Sequence, residues 1–303
     1  MTGAREWDPA QLPDQHGRTF VVTGGNAGIG YFAAEQLARA GGQVVIAARN
    51  PDRVRAAQDA IRDHAPDVLT RFVRFDLTSL ASVRDAAAEL AGLPHLDAVI
   101  LNAGVMTAPK EGETTKDGFW PLIGGYLANF AFIAHLLNRA GPDRIIQTTS
   151  NYARSNIDVR DLTAPPGPTM REYGRSKTAT EIFGFELDRR LRAAGRAVDA
   201  IMSRPGMAVD ARTPRRPGIA RKTRWDEPLW GFVGQSKEHA AWSAVRAATD
   251  PDAHGGDFFG PAHGTFGPPV RIAPEPRLAK PLDDLAGRLW EQSEQLTGVT
   301  MNV

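Results

Sequence analysis

Hydrophobic and polar residues alternate with two different periods along most of the chain. Short apolar runs rich in β-branched residues predict strands, at 19–22, 44–48, 69–75, 97–101, 144–149 and 198–203. Between these runs apolar residues recur every three to four positions and predict helices, at 29–40, 52–65, 79–91, 119–140 and 173–194. Because strands and helices alternate with short connections, the pattern predicts an α/β fold, a doubly wound parallel sheet with helices on both faces.

After position 205 the pattern becomes less regular. It predicts a helix at 236–249, a short extended segment at 257–260 and a last helix at 282–296. A chain of 303 residues, of which 42% are hydrophobic, can bury one large core, so we expect a single domain over 1–303. Within this domain we expect three irregular parts: an N-terminal arm at 1–17, a substrate-loop region at 207–235 and a C-terminal extension at 261–303.

The first strand ends in a glycine-rich turn that leads directly into a helix. The turn reads Thr23-Gly24-Gly25-Asn26-Ala27-Gly28-Ile29-Gly30. Because the crossover to the second strand must be right-handed, this turn lies at the carboxyl edge of the sheet. Glycines, which lack Cβ atoms, let a pyrophosphate approach the free N–H groups and the positive end of the helix dipole. The alternative is a plain strand-to-helix turn, which also needs glycine.

The residue after the second strand bears on which dinucleotide would bind. A protein of this architecture that binds NAD places an acidic residue here, where it bonds the ribose hydroxyls. This sequence has Ala47-Ala48-Arg49 instead. A guanidinium beside the ribose matches a 2′-phosphate with two hydrogen bonds, so the sequence favours NADP(H) over NAD. The alternative interpretation is that Arg49 is an ordinary solvated side chain.

Three polar residues indicate acid–base chemistry at the same edge of the sheet. Tyr173 and Lys177 are one turn apart on a predicted helix, so the ammonium lies close to the phenol. The pKa of a free phenol is about 10, and we expect the neighbouring cation to lower the pKa of Tyr173 toward neutrality. Ser150 ends the fifth strand, and its hydroxyl can donate a hydrogen bond to a carbonyl oxygen. Thr149 is a competitor for this role, although strand alternation places it on the opposite face.

Together these motifs resemble the short-chain dehydrogenase/reductase family, in particular its retinol dehydrogenase and protochlorophyllide reductase-like branch. The resemblance rests on four motifs in chain order: Thr-Gly-x-x-x-Gly-x-Gly, Asn102-Ala103-Gly104, Tyr173-Gly174-Arg175-Ser176-Lys177 and Pro205-Gly206. It implies a Rossmann-type fold in which Tyr173 is the general acid/base, Lys177 tunes it and holds the nicotinamide ribose, and Ser150 orients the substrate oxygen. It also implies a set of cofactor-binding residues: Thr23, Gly24, Asn26, Gly28, Ile29, Gly30, Arg49, Asp76, Leu77, Asn102, Ala103, Gly104, Lys177, Pro205 and Gly206.

The sequence departs from the family pattern in two places. Where the family has an asparagine in its fourth helix, this chain has Gly125, and Asn129 one turn later is the alternative. In the resemblance that asparagine holds a water which links the lysine to solvent. The threonine that often follows the Pro-Gly pair is replaced near Asp210, which leaves Thr213 as a weaker cofactor contact. Asp76 has two interpretations, an adenine contact implied by the family and a cap for the helix at 79–91.

Composition and charge exclude several classes of function. A net charge of +1 does not indicate a nucleic-acid partner, and the absence of cysteine excludes disulfides, thiolate nucleophiles and Cys-ligated metals. We find neither a membrane span nor a signal peptide, so we expect a cytoplasmic protein without a membrane partner. A basic loop at 212–224 contains no acid. It is either a solvated loop over the substrate site or a contact for an anionic substrate or an acidic carrier protein.

The sequence therefore predicts an NADP(H)-dependent oxidoreductase that transfers hydride between nicotinamide and a ketone or alcohol of a bulky, largely apolar substrate. We expect six apolar residues to line its pocket: Phe119, Trp120, Tyr152, Met207, Trp225 and Trp230. One alternative is a non-catalytic NADP-binding sensor or scaffold, suggested by Gly125, and another is an enzyme that reduces a C=C bond. The resemblance is compatible with a monomer or with a homo-oligomer.

Overall fold

A single sheet forms the centre of the molecule in the computed structural model, which describes residues 7–9, 11–104, 110, 112–139, 141–221, 234–282 and 284–303. Its strands are β1 (Thr19–Thr23), β2 (Gln43–Ala48), β3 (Thr70–Arg74), β4 (Ala98–Leu101), β5 (Arg144–Thr148), β6 (Asp199–Ser203), β7 (Phe258–Pro261) and β8 (Pro269–Arg271). They lie in the order β3-β2-β1-β4-β5-β6-β7-β8, and only the last pair is antiparallel. The order reverses direction between β1 and β4, where doubly wound sheets bind their ligands.

Helices cover both faces of this sheet. In chain order they are α1 (Gly28–Arg39), α2 (Pro51–Arg62), α3 (Leu80–Leu90), α4 (Pro121–Leu137), α5 (Thr169–Ala193), α6 (Lys237–Thr249), α7 (Pro276–Ala279) and α8 (Leu285–Thr297). α1, α2 and α6 bury Phe32, Val54 and Val245 in one hydrophobic cluster. α3, α4, α5 and α8 contribute to a second cluster, which contains Phe130 and Trp290. The predicted α/β fold with a doubly wound sheet is therefore confirmed.

The central strands are apolar throughout because they are buried on both faces. In β1, Val21 packs into the cluster of α3, α4 and α5, whereas Phe20 and Val22 pack into the cluster of α1, α2 and α6. Some of the helices begin with a side-chain cap: Asn50 accepts from the Arg53 N–H at 3.0 Å and so caps α2. Among the described residues, no helix is both long enough and apolar enough to cross a membrane.

The structure corrects several predicted boundaries. α5 begins at Thr169, directly after Pro168, rather than at 173. α8 begins at Leu285 rather than at 282, after Asp284 in a left-handed conformation with φ of 52°. The short strand β8 was not predicted. The described residues between 7 and 17 contain no helix or strand, and Gln15 N–H there donates to the Ala40 carbonyl at 2.8 Å.

Candidate active site

The glycine turn after β1 packs tightly against the end of β4. Gly24 has a φ of +70°, and a Cβ placed on it would lie 3.2 Å from Ala103 Cα. A Cβ on Gly30 would lie 2.5 Å from Asn102 Nδ2 and 2.6 Å from the Gly24 oxygen. Thr23 Oγ1 accepts from the Ala103 N–H at 2.9 Å. Asn102 Nδ2 donates to the Thr23 backbone carbonyl oxygen at 3.3 Å. The predicted turn and the Asn-Ala-Gly segment therefore form one unit, in which Gly30 tolerates no side chain.

The start of α1 has the properties of an anion cradle. Gly28 has a φ of +59°, and no atom lies within 4 Å of a Cβ placed on it, so this position faces open space. Ala27 precedes the helix and provides no side-chain cap, and the first turn contains no acidic residue. The first N–H groups of α1 are therefore available to a phosphate. Together with the close packing at Gly30, this arrangement fits the pyrophosphate of a dinucleotide. Asn26 and Ile29 belong to the same turn.

The predicted catalytic residues meet beside the end of β5. Lys177 Nζ donates to the Thr148 carbonyl oxygen at 2.8 Å and lies 5.9 Å from the centre of the Tyr173 ring. Ser150 lies close enough to Tyr173 for its hydroxyl to lower the pKa of the phenol, and Ser150 Oγ accepts from the Tyr152 N–H at 3.3 Å. The ring of Tyr152 packs edge-on against Tyr173, with 5.7 Å between the ring centres. The structure thus brings Ser150, Tyr173 and Lys177 into one cluster.

Burial determines the protonation of this cluster. It lowers the pKa of Lys177 to about 8. Burial also raises the pKa of Tyr173, and the Ser150 hydroxyl offsets only part of that rise. The expectation of a lowered Tyr173 pKa is therefore wrong for this structure, because burial raises this pKa by more than the Ser150 hydroxyl lowers it. At neutral pH Tyr173 is a protonated phenol that can donate its proton.

A cavity of about 270 Å³ joins the catalytic residues to the predicted cofactor site. Six of the predicted residues line it: Arg49, Leu77, Ala103, Gly104, Tyr173 and Lys177. Residues that the sequence analysis did not assign also line it: Thr78, Glu113, Pro121, Leu122, Tyr126, Ser176 and Thr180. A larger cavity, of about 500 Å³, lies between α1 and α6 and contains none of the predicted residues. The candidate site is therefore identified by the residues that line the cavity and not by the volume of the cavity.

Gly125 and Asn129, the two candidates for the missing asparagine, lie one turn apart on α4 and both line this cavity. No atom lies within 4 Å of a Cβ placed on Gly125, so a larger side chain fits there. Asn129 Oδ1 is buried and has no hydrogen-bond partner among the described residues. Both positions therefore stay candidates for the relay that the family resemblance implies.

Asp76 lies beside the cavity rather than in its wall. Its side chain is buried, accepts from the Thr78 N–H at 3.1 Å and pairs with Lys116 Nζ at 3.1 Å. Burial raises the pKa of Asp76, but the bonds from Thr78 and Lys116 outweigh burial and hold it below its usual value. Ser79 itself caps α3 by accepting from the Ser82 N–H at 3.3 Å. Asp76 therefore shapes the turn before α3, and Leu77 is the neighbour that reaches the cavity.

The segment after β6 is held by close backbone contacts. Gly206 has a φ of +70°, and a Cβ placed on it would lie 2.4 Å from the Thr265 oxygen. The Pro205 carbonyl accepts from Gln235 Nε2 at 2.8 Å. Thr213 is buried and donates to the Val209 oxygen at 2.7 Å. The weaker candidate for a cofactor contact therefore serves the local fold.

Arg212, Arg216 and Arg221 of the basic loop are bound to the protein, whereas Arg215 is exposed. Arg216 Nε and Nη2 donate to the two carboxylate oxygens of Glu35 on α1, at 2.7 and 2.8 Å. Arg212 Nη1 donates to the Gly234 carbonyl at 3.1 Å. Arg216 is thus an anchor and not a free cation for a substrate. Part of the predicted loop and pocket lies outside the described residues: Lys222, Arg224, Trp225 and Trp230.

The other residues expected in the pocket have different surroundings. Trp120 lines a second cavity of about 320 Å³, which shares Glu113, Pro121 and Leu122 with the catalytic cavity. Phe119 packs against the hydrophobic cluster of α3, α4 and α5. Tyr152 is 48% exposed, and Met207 is half-buried. Trp120 is therefore the one of these four that lines an apolar cavity next to the site.

Known proteins show the same organisation. The family model described as short chain dehydrogenase matches residues 18–215. Polyprenol dehydrogenase from Mus musculus is 33% identical over 311 residues, which cover 97% of this chain and 88% of that protein. Retinol dehydrogenase 13 from Homo sapiens is 33% identical over 313 residues, which cover 99% and 89%. The crystal structure of an uncharacterized protein from Mycobacterium paratuberculosis has a TM-score of 0.78 and 31% identity, and covers 98% of this chain and 99% of that one.

A doubly wound sheet with a glycine turn at its switch point, next to a half-buried Ser, Tyr and Lys, is the arrangement of a nicotinamide-dependent oxidoreductase. The family match and the two curated relatives confirm the resemblance found in the sequence. The chain belongs to the short-chain dehydrogenase/reductase family and to its retinol dehydrogenase-like branch.

Proposed function

We propose that the protein is an NADP(H)-dependent oxidoreductase that interconverts a ketone and an alcohol on a bulky, largely apolar substrate. The observation that carries this proposal is the single cavity that Tyr173 and Lys177 line together with Arg49, Leu77 and Gly104. It brings acid–base groups and the expected nucleotide contacts into one space. Two relatives are named for polyprenol and retinol, which are apolar alcohols.

Arg49 supports NADP(H) as the cofactor. It follows β2 directly, where an acidic residue would bond the ribose hydroxyls of NAD. Its side chain is exposed and lines the same cavity as Lys177, so the guanidinium is free to approach a ligand there. A planar guanidinium binds a 2′-phosphate through two charge-assisted hydrogen bonds. Gly24, Gly28 and Gly30 would hold the pyrophosphate at the start of α1.

The side chains around the cavity account for the proton. NADPH held there would supply a hydride for the carbonyl carbon, which would leave the electron pair of the C=O bond on oxygen. Tyr173 gives its phenolic proton to that oxygen, because burial keeps the phenol protonated at neutral pH. Ser150, which lies next to Tyr173, donates its hydroxyl proton in a hydrogen bond to the same oxygen as charge develops. In the reverse direction Tyr173 accepts the proton of the alcohol.

The second cavity supports a bulky apolar substrate. It adjoins the catalytic cavity at Pro121 and Leu122, and its wall includes Trp120 and Pro166. Gly167 N–H donates to Glu172 Oε1 at 3.0 Å, which ties this wall to the catalytic helix. A substrate whose carbonyl reaches Tyr173 could place an apolar group between these side chains.

NADPH oxidation with a panel of bulky ketones and aldehydes tests the proposal. We expect Tyr173→Phe to bind NADPH with unchanged affinity and to lose about 10²-fold or more in kcat, because phenylalanine has no proton to give. NADPH binding is measured by the fluorescence of the cofactor. If the parent protein binds NADPH but oxidises none of it across the panel, the sensor or scaffold function replaces the enzyme. The first change to try would then be Gly125→Asn, for which the structure has space.

A further inference from the structure

Glu181 is a buried carboxylate on the catalytic helix that the proposed reaction does not use. It follows Tyr173 and Lys177 at four-residue spacing on α5, so the three side chains lie along one face of the helix. The side chain of Glu181 is 0% exposed. Glutamate is almost never buried to this extent unless it is paired, so its partners are informative.

The carboxylate of Glu181 connects three elements of the fold. Its Oε2 accepts from Thr149 Oγ1 at 3.0 Å, at the end of β5. The same oxygen lies 3.4 Å from Arg204 Nη2, at the end of β6. Arg204 in turn lies over the ring of Phe258 on β7, 4.7 Å from its centre. Glu181 therefore joins the catalytic helix to the ends of two neighbouring strands.

These contacts are energetically expensive. Burial raises the pKa of Glu181, and Arg204 and Thr149 only partly offset this effect. Glu181 Oε1, Arg204 Nε and Gln147 Nε2 are buried and have no hydrogen-bond partner among the described residues. A well-packed apolar side chain usually stabilises a fold at least as well as a buried ion pair does. Stability alone therefore does not explain a glutamate here, whereas a need for precise position does.

Each partner of Glu181 is the chain neighbour of a residue in the candidate active site. Thr149 precedes Ser150, and its own neighbour Thr148 accepts the hydrogen bond of Lys177 at 2.8 Å. Arg204 precedes the Pro205-Gly206 pair. Thr149 is buried with its hydroxyl on Glu181, and Ser150 is the next residue along the chain, so the bond from Thr149 to Glu181 fixes the backbone directly before Ser150.

We infer that Glu181 is a positioning residue, which holds the end of β5 through Thr149 and Arg204 and so keeps the Ser150 hydroxyl against the Tyr173 phenol. The role in catalysis rests on the proposed function, but the geometric role does not. Removing the carboxylate should therefore displace the Ser150 hydroxyl relative to the Tyr173 phenol even when no cofactor or substrate is present. Glu181 itself touches neither.

The pKa of Tyr173 reports on the position of the Ser150 hydroxyl, because that hydroxyl lowers it. The chain has four tyrosines, and burial raises the pKa of Tyr31 and Tyr126 far above the ordinary range. A Tyr152→Phe background therefore leaves Tyr173 as the phenol that titrates at the lowest pH, above the ordinary value of 10.0, and its ultraviolet absorbance reports this titration. Because the Ser150 hydroxyl lowers the pKa of Tyr173, Ser150→Ala in this background should raise its titration midpoint.

We expect Glu181→Leu in the same background to raise the midpoint by at least half as much as Ser150→Ala does. Glu181→Gln keeps an oxygen for Thr149 and should restore most of the difference. The matched control is Glu186→Leu, which replaces another largely buried, arginine-paired glutamate on α5 and should leave the midpoint in place. The inference fails if Glu181→Leu titrates like the background, if Ser150→Ala causes no shift, or if Glu186→Leu shifts the midpoint as far.

Thr149 provides an independent test if Glu181→Leu does not fold. Thr149→Val removes the hydroxyl at nearly constant shape and should raise the midpoint, whereas Thr149→Ser keeps the hydroxyl and should not. With an active ketone, Glu181→Leu should lower kcat about tenfold or more and change KM little, because the position of a reacting group is altered. If the parent oxidises no NADPH, the proposed function fails, and the titration still decides the role of Glu181.

Discussion

The pair of Arg216 and Glu35 permits a quantitative prediction about stability. The Glu35 side chain is 1% exposed and that of Arg216 14%, and two hydrogen bonds of 2.7 and 2.8 Å join them. Arg216→Met keeps an unbranched apolar stem and removes the charge, which leaves the carboxylate with the Tyr31 hydroxyl at 2.7 Å. Loss of one partner from a buried pair costs about 3–5 kcal/mol. Because Arg216 retains some contact with water, we expect a loss of about 3 kcal/mol in the free energy of unfolding at pH 7.

This loss should depend on pH. Burial raises the pKa of Glu35, but the bonds from Arg216 and Tyr31 outweigh burial and hold the pKa below its ordinary value of 4.5. The native carboxylate therefore stabilises the fold above pH 4.5, and this contribution is lost as the pH falls through the folded-state pKa. Without Arg216, burial makes the pKa of Glu35 higher than in the unfolded chain. The variant then regains stability relative to the parent as the solution is acidified.

Urea unfolding followed by circular dichroism, at neutral pH and near pH 5, measures both effects. Arg215→Met is the matched control, because Arg215 is the exposed neighbour and its loss should cost less than about 0.5 kcal/mol. The double variant Arg216→Met/Glu35→Met removes both charges and should recover most of the lost stability. The reasoning is refuted if Arg216→Met is as stable as Arg215→Met at neutral pH, or if its loss is equal at the two pH values.

Two further predictions concern α4 and the catalytic lysine. Gly125→Ala should raise the free energy of unfolding by about 0.5–1 kcal/mol, because the position is helical and its Cβ would face open space, whereas Gly124→Ala should lower it because its Cβ would lie 2.5 Å from Thr115 Cγ2; urea unfolding that ranks the two variants equally contradicts this. Burial lowers the pKa of Lys177 to about 8 from 10.5, so between these values the unfolded chain binds a proton that the folded chain has released. The stability of the parent should therefore rise relative to Lys177→Met from pH 8 to 10.5, and a constant difference in urea unfolding would rule out the lowered pKa.

The regular part of the fold could be predicted from the sequence because its signals are local. β1, β2 and β4 are short, apolar and buried on both faces, and their observed bounds differ from the predicted ones by one residue. β8 could not be predicted, because it has three residues and depends on pairing with β7. The start of α5 was misplaced for a different reason: the proline-rich segment before it resembles a loop up to the residue at which the helix begins.

The candidate site divides in the same way. The proximity of Tyr173 and Lys177 could be predicted from their spacing on one helix. The glycine turn could be predicted because its glycines lie within eight consecutive residues. The direction of the Tyr173 pKa shift could not be inferred, since it depends on burial by the whole fold. The partner of Arg216 is 181 positions away, and no local pattern identifies it. The position of Glu181 could be predicted, because it lies one turn after Lys177 on the same face of the helix. Its burial could not be predicted, because nothing in the local sequence indicates that this acidic residue is buried.

Directional contacts explain two of the arginine–glutamate pairs that this fold buries. Hydrophobic burial is non-directional. It holds α1 and α5 against the sheet but does not fix the exact position of the strand ends or of the loop that contains Arg216. The hydrogen bonds of Arg216 to Glu35 and of Arg204 to Glu181 do fix such positions, one for the segment after β6 and one for the strand ends beside Ser150. Apolar replacement of both members of a pair should therefore preserve stability better than it preserves geometry. On this argument the Tyr173 titration responds to apolar replacement of both Glu181 and Arg204 even where the unfolding free energy stays close to that of the parent.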